Sequence, residues 1–182
     1  MKILALDQAR KGAYAIFDYE KKKLIKYGSW NFDNSRYTYS QAIRMIELLV
    51  ENLIYDNDIS AVFIEDIQLR KNVASFKCLA HLQGVLINLF ERANILYDLI
   101  QPASWQGYCK ARGRTIKEAK QGIDTIESTG KPNSKVLSIQ CVKDKYHIIT
   151  DDDNIADSVL IGHYVVNKII IKTAKAETKE KD

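Results

Sequence analysis

The chain has 182 residues, of which 46% are hydrophobic and 27% charged, and this suits one soluble globular domain with a substantial core. Its formal net charge of +4 is compatible with a nucleic-acid partner but is too small to establish one. The three cysteines have no metal-type spacing, the N-terminus shows no signal peptide, and no apolar stretch is expected to span a bilayer. We therefore predict an intracellular, cytoplasmic protein without a membrane partner.

The first predicted strand, residues 3–6, is apolar at every position and ends on a carboxylate, Asp7. A continuous apolar run of this length is typical of a strand that is buried on both faces. Residues 13–19 and 24–32 are further strand candidates, and the short polar turns between them predict an antiparallel meander. An acid at the end of a buried strand needs a positive partner, which is either a cation of the following turn or a bound ligand.

The hydrophobic period then changes to that of a helix over residues 38–55. A second fully apolar run, residues 61–64, follows this helix and again ends on acid, at Glu65 and Asp66. A strand, a long helix and a strand predict a crossover unit in which the two acid-tipped strands lie parallel in one sheet. Successive side chains of a strand point to opposite faces, so only one of these two acids can face Asp7.

The remaining predicted elements are a helix over residues 73–92, a strand over 95–100, a helix over 133–147 and a helix from about 155 to 171. Gly84 lies inside the first of these helices, where it costs about 1 kcal/mol relative to Ala and indicates close packing. Residues 122–134 are rich in turn formers and predict a loop. Residues 172–182 form a charged tail that we expect to be disordered.

The last helix is preceded by three consecutive acids and carries a fourth, Asp157, inside its apolar run. Acids at a helix N-terminus are stabilised by the helix dipole, which accounts for the three but not for Asp157. Asp153 and Asp157 are four residues apart and share a helix face. Two like charges there destabilise the helix unless a cation joins them.

Acidic residues thus occur at three places where the predicted local structure does not explain them: Asp7, Glu65, and the pair Asp153 and Asp157. If the two strands are neighbours and the last helix packs across their ends, these carboxylates meet and repel one another in the absence of metal. Oxygen ligands without a Cys–His set select Mg²⁺ or Mn²⁺. Two such ions can activate a water and stabilise the leaving oxygen of a phosphodiester. We therefore predict a site for two Mg²⁺ ions, for which Mn²⁺ can substitute.

Two clusters of cations suit a phosphate backbone as the substrate. They consist of Arg70, Lys71 and Lys77, which follow the second acid-tipped strand, and of Lys110, Arg112, Arg114 and Lys117, which follow the fifth strand. We expect both clusters to bind DNA, with an affinity that falls as the salt concentration rises. The alternative for each cluster is a solvated surface.

In their order and spacing these motifs resemble the RuvC-type Holliday-junction resolvases of the RNase H-like superfamily, and they look closest to the phage-encoded branch. The resemblance rests on residues 3–9, 61–66, 70–72, 81–85 and 151–164. It implies an α/β, RNase H-like nuclease domain over residues 1–171, with a five-stranded mixed sheet flanked by helices. It also implies a homodimer that uses carboxylate-bound divalent metal to nick symmetrically related strands of four-way and other branched DNA, in recombination or phage DNA debranching.

By this resemblance Asp7, Glu65 and Asp157 fall on metal-ligand and catalytic positions. The family usually has another Asp or a His three residues before the last of these, where this chain has Asn154, with Asp153 one residue earlier. We expect a one-residue shift in the first helical turn to bring Asp153 to the metal. The alternative is that Asn154 ligates weakly through its amide oxygen.

Two further expectations concern the segment after Glu65. The family often has an aromatic residue in this loop that wedges into the junction, and residues 67–69 of this chain have none. That role, and any sequence preference, is therefore open. The helix that begins near Asn72 is expected to form the dimer interface and to present Lys71 and Lys77 to DNA.

Two other functions are compatible with parts of the sequence. A catalytically silent branched-DNA- or RNA-binding protein could use the same fold, but binding an anionic nucleic acid needs no acidic cluster. Half of a sugar-kinase or actin-like ATPase also begins with a strand that ends in Asp. That fold needs Gly and Ser or Thr after the Asp to cradle phosphate, and Gln8 and Ala9 do not supply them.

Overall fold

The structure is a computed structural model that describes residues 1–69, 72–113 and 134–171. Its strands are β1 (Lys2–Asp7), β2 (Lys11–Asp18), β3 (Lys23–Asn31), β4 (Ile59–Glu65) and β5 (Leu96–Ile100). Its helices are α1 (Tyr39–Asp56), α2 (Val73–Arg92), α3 (Pro102–Cys109), α4 (Ser134–Tyr146) and α5 (Asp153–Lys168). Outside the described residues lie the tail 172–182, all of the predicted loop 122–134 except Ser134, and Arg70, Lys71, Arg114 and Lys117.

The five strands form one mixed sheet in the order β3-β2-β1-β4-β5. β1 pairs antiparallel with β2 and parallel with β4, as the crossover unit predicts. Leu6 of β1 is paired with Ile64 of β4, so the next residues, Asp7 and Glu65, end two neighbouring strands at the same level. The predicted five-stranded mixed sheet is therefore confirmed.

Both faces of the sheet are covered, which explains why β1 and β4 are apolar at successive positions. Along β1, Ile3 and Ala5 pack in the core formed with α5, whereas Leu4 and Leu6 pack in the core formed with α1 and α2. The alternation continues to the strand end, so Asp7 belongs to the face that α5 covers. On β4 the same alternation places Phe63, and after it Glu65, on that face.

The 20 residues of α2 are long and apolar enough to cross a membrane, judged by length and composition alone. The expectation that no stretch of the chain reaches this limit was therefore wrong. One face of α2, with Leu82, Leu86, Leu89 and Phe90, is buried against the sheet and α1. Only 28% of its most apolar window is buried in the described structure, so the packing of this face accounts for part of its apolar composition and not for all of it.

Close packing occurs at a different glycine from the one predicted. A Cβ atom added at Gly84 would meet no atom within 4 Å, because this side of α2 is exposed. At Gly162 of α5 an added Cβ would lie 2.6 Å from Cδ2 of Phe17, a fully buried ring on β2. Gly162 thus allows α5 to approach the sheet closely, and this approach brings the acids of α5 toward those of β1 and β4.

Replacement of these two glycines by alanine should have opposite effects on stability. Gly84→Ala should raise the free energy of unfolding by about 0.5–1 kcal/mol, because Ala is the better helix former and open space surrounds it. Gly162→Ala should lower it by about 1–3 kcal/mol, because the methyl group collides with a core ring. Urea unfolding of the two variants measures both values, and equal changes of the same sign would contradict this packing.

Candidate active site

Acidic side chains gather at the edge of the sheet where β1 and β4 end. Burial raises the pKa of Asp7 well above its ordinary value, and the charges of Glu65, Asp157, Asp153 and Asp152 raise it further, in that order. The described parts of β1, β4 and α5 therefore bring together the four acids predicted to share a site, and a fifth, Asp152, lies close enough to add to the repulsion.

Asp157 is the acid of α5 that is hardest to explain as a purely structural residue. Burial, together with the nearby charges of Glu65 and Asp153, raises its pKa to about 7, although Ser138 and Lys135 act in the opposite direction. Its Oδ1 atom and the hydroxyl of Ser138 are both buried without a well-formed hydrogen bond, so Ser138 is at most a weak donor to this carboxylate. A buried carboxylate oxygen with so little donor support is costly in an ordinary core and suits a bound cation.

Glu65 is held by two groups that the sequence did not single out for this role. The indole Nε1 of Trp105 donates a hydrogen bond to Glu65 Oε1 over 2.9 Å, and Trp105 is fully buried. Gln8 Nε2 donates to the backbone carbonyl oxygen of Glu65 over 3.2 Å. The one sequence feature that could have indicated the contact between Trp105 and Glu65 is their place in the chain order. Trp105 lies about one helical turn after β5, and β5 is the strand next to β4.

The two candidate ligands in the first turn of α5 have different hydrogen-bond partners. Asp153 forms an ion pair with Lys135 of α4. The pKa of Lys135 is raised by its hydrogen bond to Asp153 and by the negative charges of Asp153, Asp157 and Asp7. Asn154 instead donates its side-chain amide to Oδ1 of Asp152, the residue that caps α5, over 2.8 Å. Asp153 thus lies within the acidic group while the Asn154 amide serves the helix cap, and the choice between them as a metal ligand stays a prediction.

A cavity of about 300 Å³ opens beside the acids. Asp7 and Glu65 line one side of it, and Phe76 and Leu79 of α2 line another. The cavity therefore connects the acidic edge of the sheet with the first turns of the helix that follows the second acid-tipped strand.

The donor set matches a hard divalent cation in kind, because it consists of carboxylate oxygens that repel one another. Within residues 1–69, 72–113 and 134–171, however, no three His, Cys, Asp or Glu side chains are already arranged as a metal-binding group. Glu65 and Asp153 are directed toward protein partners, Trp105 and Lys135. Ligation would require these two acids to share their oxygens between the partner and the ion, so the predicted ligand set stays a prediction.

The predicted DNA-binding cations are only partly covered by the structure. Lys77, on α2, is exposed and follows Phe76, which lines the cavity. Lys110 and Arg112, which follow α3, are also exposed. The other four members of the two clusters lie outside the described residues, so the DNA-binding role of both clusters stays a prediction.

Comparison of the chain with known proteins gives matches in structure only: no family model and no curated protein matches its sequence. RuvC of T. thermophilus, solved in complex with a Holliday junction substrate, matches over 90% of this chain and 91% of its own, with 10% identity and a TM-score of 0.62. Fowlpox virus resolvase, solved with substrate Holliday junction DNA, matches over 94% and 100%, with 19% identity and a TM-score of 0.58. The yeast mitochondrial Holliday junction resolvase matches over 90% and 77%, with 14% identity and a TM-score of 0.54. The predicted resemblance to RuvC-type resolvases is thus confirmed for the fold, which is RNase H-like.

Removal of one acidic charge should stabilise the metal-free protein. A folded-state pKa of about 7, against an ordinary 3.8, means that folding penalises the ionised form of Asp157. The penalty is full above the folded pKa, shrinks as the pH falls toward 3.8, and is absent below it. Asp157→Asn should therefore raise the free energy of unfolding in EDTA near pH 8 by on the order of 1–3 kcal/mol, with a smaller gain at pH 5.

Thermal and urea unfolding at the two pH values measure this effect. Asp151→Asn is the matched control, because Asp151 is an exposed acid of the same segment and its removal should change little. An Asp157→Asn variant that is less stable than the parent protein near pH 8 in EDTA would contradict the combined cost of burial and repulsion described for this carboxylate.

Proposed function

We propose that this protein is a divalent-metal-dependent, structure-selective DNA endonuclease that nicks symmetrically related strands of four-way junctions. The observation that carries the proposal is the gathering of Asp7, Glu65, Asp153 and Asp157 at one edge of an RNase H-like sheet. There the other three acids raise the pKa of Asp7, and two of them also raise that of Asp157. The structural neighbours support the same reaction, because they are Holliday junction resolvases and two of them were solved with junction DNA.

In this proposal the acids hold two Mg²⁺ ions, for which Mn²⁺ can substitute. When bound, the ions supply an activated water and stabilise the leaving oxygen of the phosphodiester. Asp7 and Glu65 are fixed by the ends of paired strands, and Asp157 is fixed by a helix that packs tightly on the sheet. These rigid supports set the positions of the ligands, and cation binding relieves the repulsion between them.

The proposed substrate lies across the acidic edge and the cavity beside it. A DNA strand in the cavity of about 300 Å³ would place its backbone against Asp7 and Glu65. The exposed cations Lys77, Lys110 and Arg112 are candidates to bind the phosphates of the junction arms, together with the cations outside the described residues.

We further propose a homodimer with two-fold symmetry, since two symmetry-related sites can cut two opposed strands. α2 is the candidate interface: it is long and apolar, and much of its surface away from the core is exposed, with Val73 54% exposed. We also propose a role in recombination or in phage DNA debranching. The proposed location is the cytoplasm, namely the cytoplasm of the bacterial host if the protein is phage-encoded.

A catalytically silent branched-DNA-binding protein is the second candidate. Its supporting observation is that Glu65 and Asp153 are bound to protein partners, so the acids are not already arranged around an ion. Against it stands the cost of the acidic group, because a protein that only binds anionic DNA gains nothing from clustered, mutually repelling carboxylates.

A labelled four-way junction, incubated with the protein and Mg²⁺ or Mn²⁺, distinguishes the two candidates. Paired nicks at symmetrically related positions are expected, whereas a linear duplex of the same sequence should remain intact. Asp7→Asn should abolish cleavage, because it removes a ligand charge at the centre of the group, and should leave junction binding in a gel-shift assay largely unchanged.

Junction binding without cleavage in Mg²⁺, Mn²⁺ and Co²⁺ would favour the silent binder. Undiminished cleavage by Asp7→Asn would remove this residue from the site. A panel of forks, flaps and three-way branches in the same assay defines the range of branched DNA that the protein cuts.

A further inference from the structure

Trp105 donates its indole N–H to a carboxylate of the candidate site, although the ring belongs to the hydrophobic core. The side chain has no exposed surface and packs in the cluster that α5 forms with the sheet, which includes Ala156 and Leu160. Its Nε1 atom lies 2.9 Å from Oε1 of Glu65. The same residue therefore shares a hydrophobic cluster with the helix that carries Asp157 and bonds to the side chain that ends β4.

The chain order makes this contact a direct consequence of the fold. Ile100, the last residue of β5, is paired with Glu65, and its carbonyl oxygen accepts a hydrogen bond from the backbone N–H of Asp66. α3 begins two residues later, at Pro102, which fits the first position of a helix. Trp105 then lies one turn into α3 and returns its side chain to Glu65.

A buried indole N–H needs a hydrogen-bond acceptor. The two tryptophans of the chain donate to acceptors of different kinds. Trp30, 7% exposed, donates to the backbone carbonyl oxygen of Ala9 over 2.8 Å. Trp105 donates to a carboxylate that is part of a group of like charges. An N–H donor occupies one of about four lone-pair positions of a carboxylate and restricts the orientation of the group.

We propose that Trp105 is a positioning residue for the metal site, whose indole N–H fixes the Glu65 carboxylate at the edge that it shares with Asp7 and Asp157. This inference rests on the proposed function, because it takes Glu65 as a metal ligand. Partners that orient metal ligands in this way typically change metal affinity or activity by 10- to 100-fold when they are removed.

The test compares Mg²⁺ and Mn²⁺ affinity, measured by isothermal titration calorimetry without DNA, for the parent protein, Trp105→Phe and Trp30→Phe. Both substitutions remove an indole N–H and some buried volume, but only the first removes a bond to Glu65. Trp105→Phe should bind metal at least about tenfold more weakly, whereas Trp30→Phe should bind it as the parent does. Unfolding in EDTA, measured for both variants, identifies the part of the change that comes from packing alone.

A second measurement needs no change at Trp105. In ¹⁵N-labelled Trp30→Phe protein the remaining indole N–H resonance belongs to Trp105. Metal should shift this resonance in a saturable way with the affinity found by calorimetry, because the charge on Glu65 is shared with the ion. In the double variant Trp30→Phe/Glu65→Gln the shift should be lost.

The outcomes separate this inference from the proposed function. Two results would overturn only the positioning role, provided that the parent protein binds metal and cuts junctions. The first is that Trp105→Phe binds metal as tightly as the parent protein does. The second is that the Trp105 resonance does not shift when metal is added. If the parent protein binds neither Mg²⁺ nor Mn²⁺, the proposed function fails and the positioning role fails with it.

Discussion

Repulsion between carboxylates at one edge of the sheet is the constraint on which the rest of the site depends. Asp7 and Glu65 cannot move apart, because the parallel pairing of β1 and β4 fixes both strand ends at one level. Asp157 cannot move away either, since α5 lies against the sheet with Gly162 on the ring of Phe17. The folded chain therefore concentrates negative charge at this edge, where burial and the neighbouring acids raise the pKa of Asp7 and that of Asp157.

Within the described residues, two side chains offset part of this repulsion. Lys135 pairs with Asp153, and Trp105 donates a hydrogen bond to the carboxylate of Glu65. These contacts leave the pKa of Asp7 and that of Asp157 raised, so the folded state still bears an electrostatic cost. The apolar cores on both faces of the sheet, which α5 and the pair α1 and α2 complete, supply the stability that offsets this cost. A site that is costly in the free protein and relieved by a ligand is typical of functional positions.

The sequence predicted the frame of this site because strong local patterns set it. Continuous apolar runs that end on acid identify β1 and β4, and a long amphipathic helix between them requires a parallel crossover. The strand period allows only one of Glu65 and Asp66 to face Asp7, and the observed register of β1 against β4 assigns that place to Glu65. Asp157 could be identified because it interrupts an apolar helix face where no local capping role explains it.

The rest depends on contacts between elements that are distant in the chain. The sequence contains no local signal that Lys135 would meet Asp153 from another helix, or that the core residue Trp105 would bond to Glu65. Gly84 was expected to pack closely and does not, since a helical glycine does not reveal which side of its helix faces a neighbour. The length and apolar composition of α2, which meet the limits for a membrane span, were likewise not recognised from the sequence.

The most direct measurement of the central claim is anomalous diffraction from crystals that contain Mn²⁺. The account predicts manganese density at the edge of the sheet, where carboxylate oxygens of Asp7, Glu65 and Asp157 would hold the metal, with either Asp153 or Asn154 beside them. Manganese bound elsewhere, or no manganese at this edge in crystals saturated with it, would contradict the account.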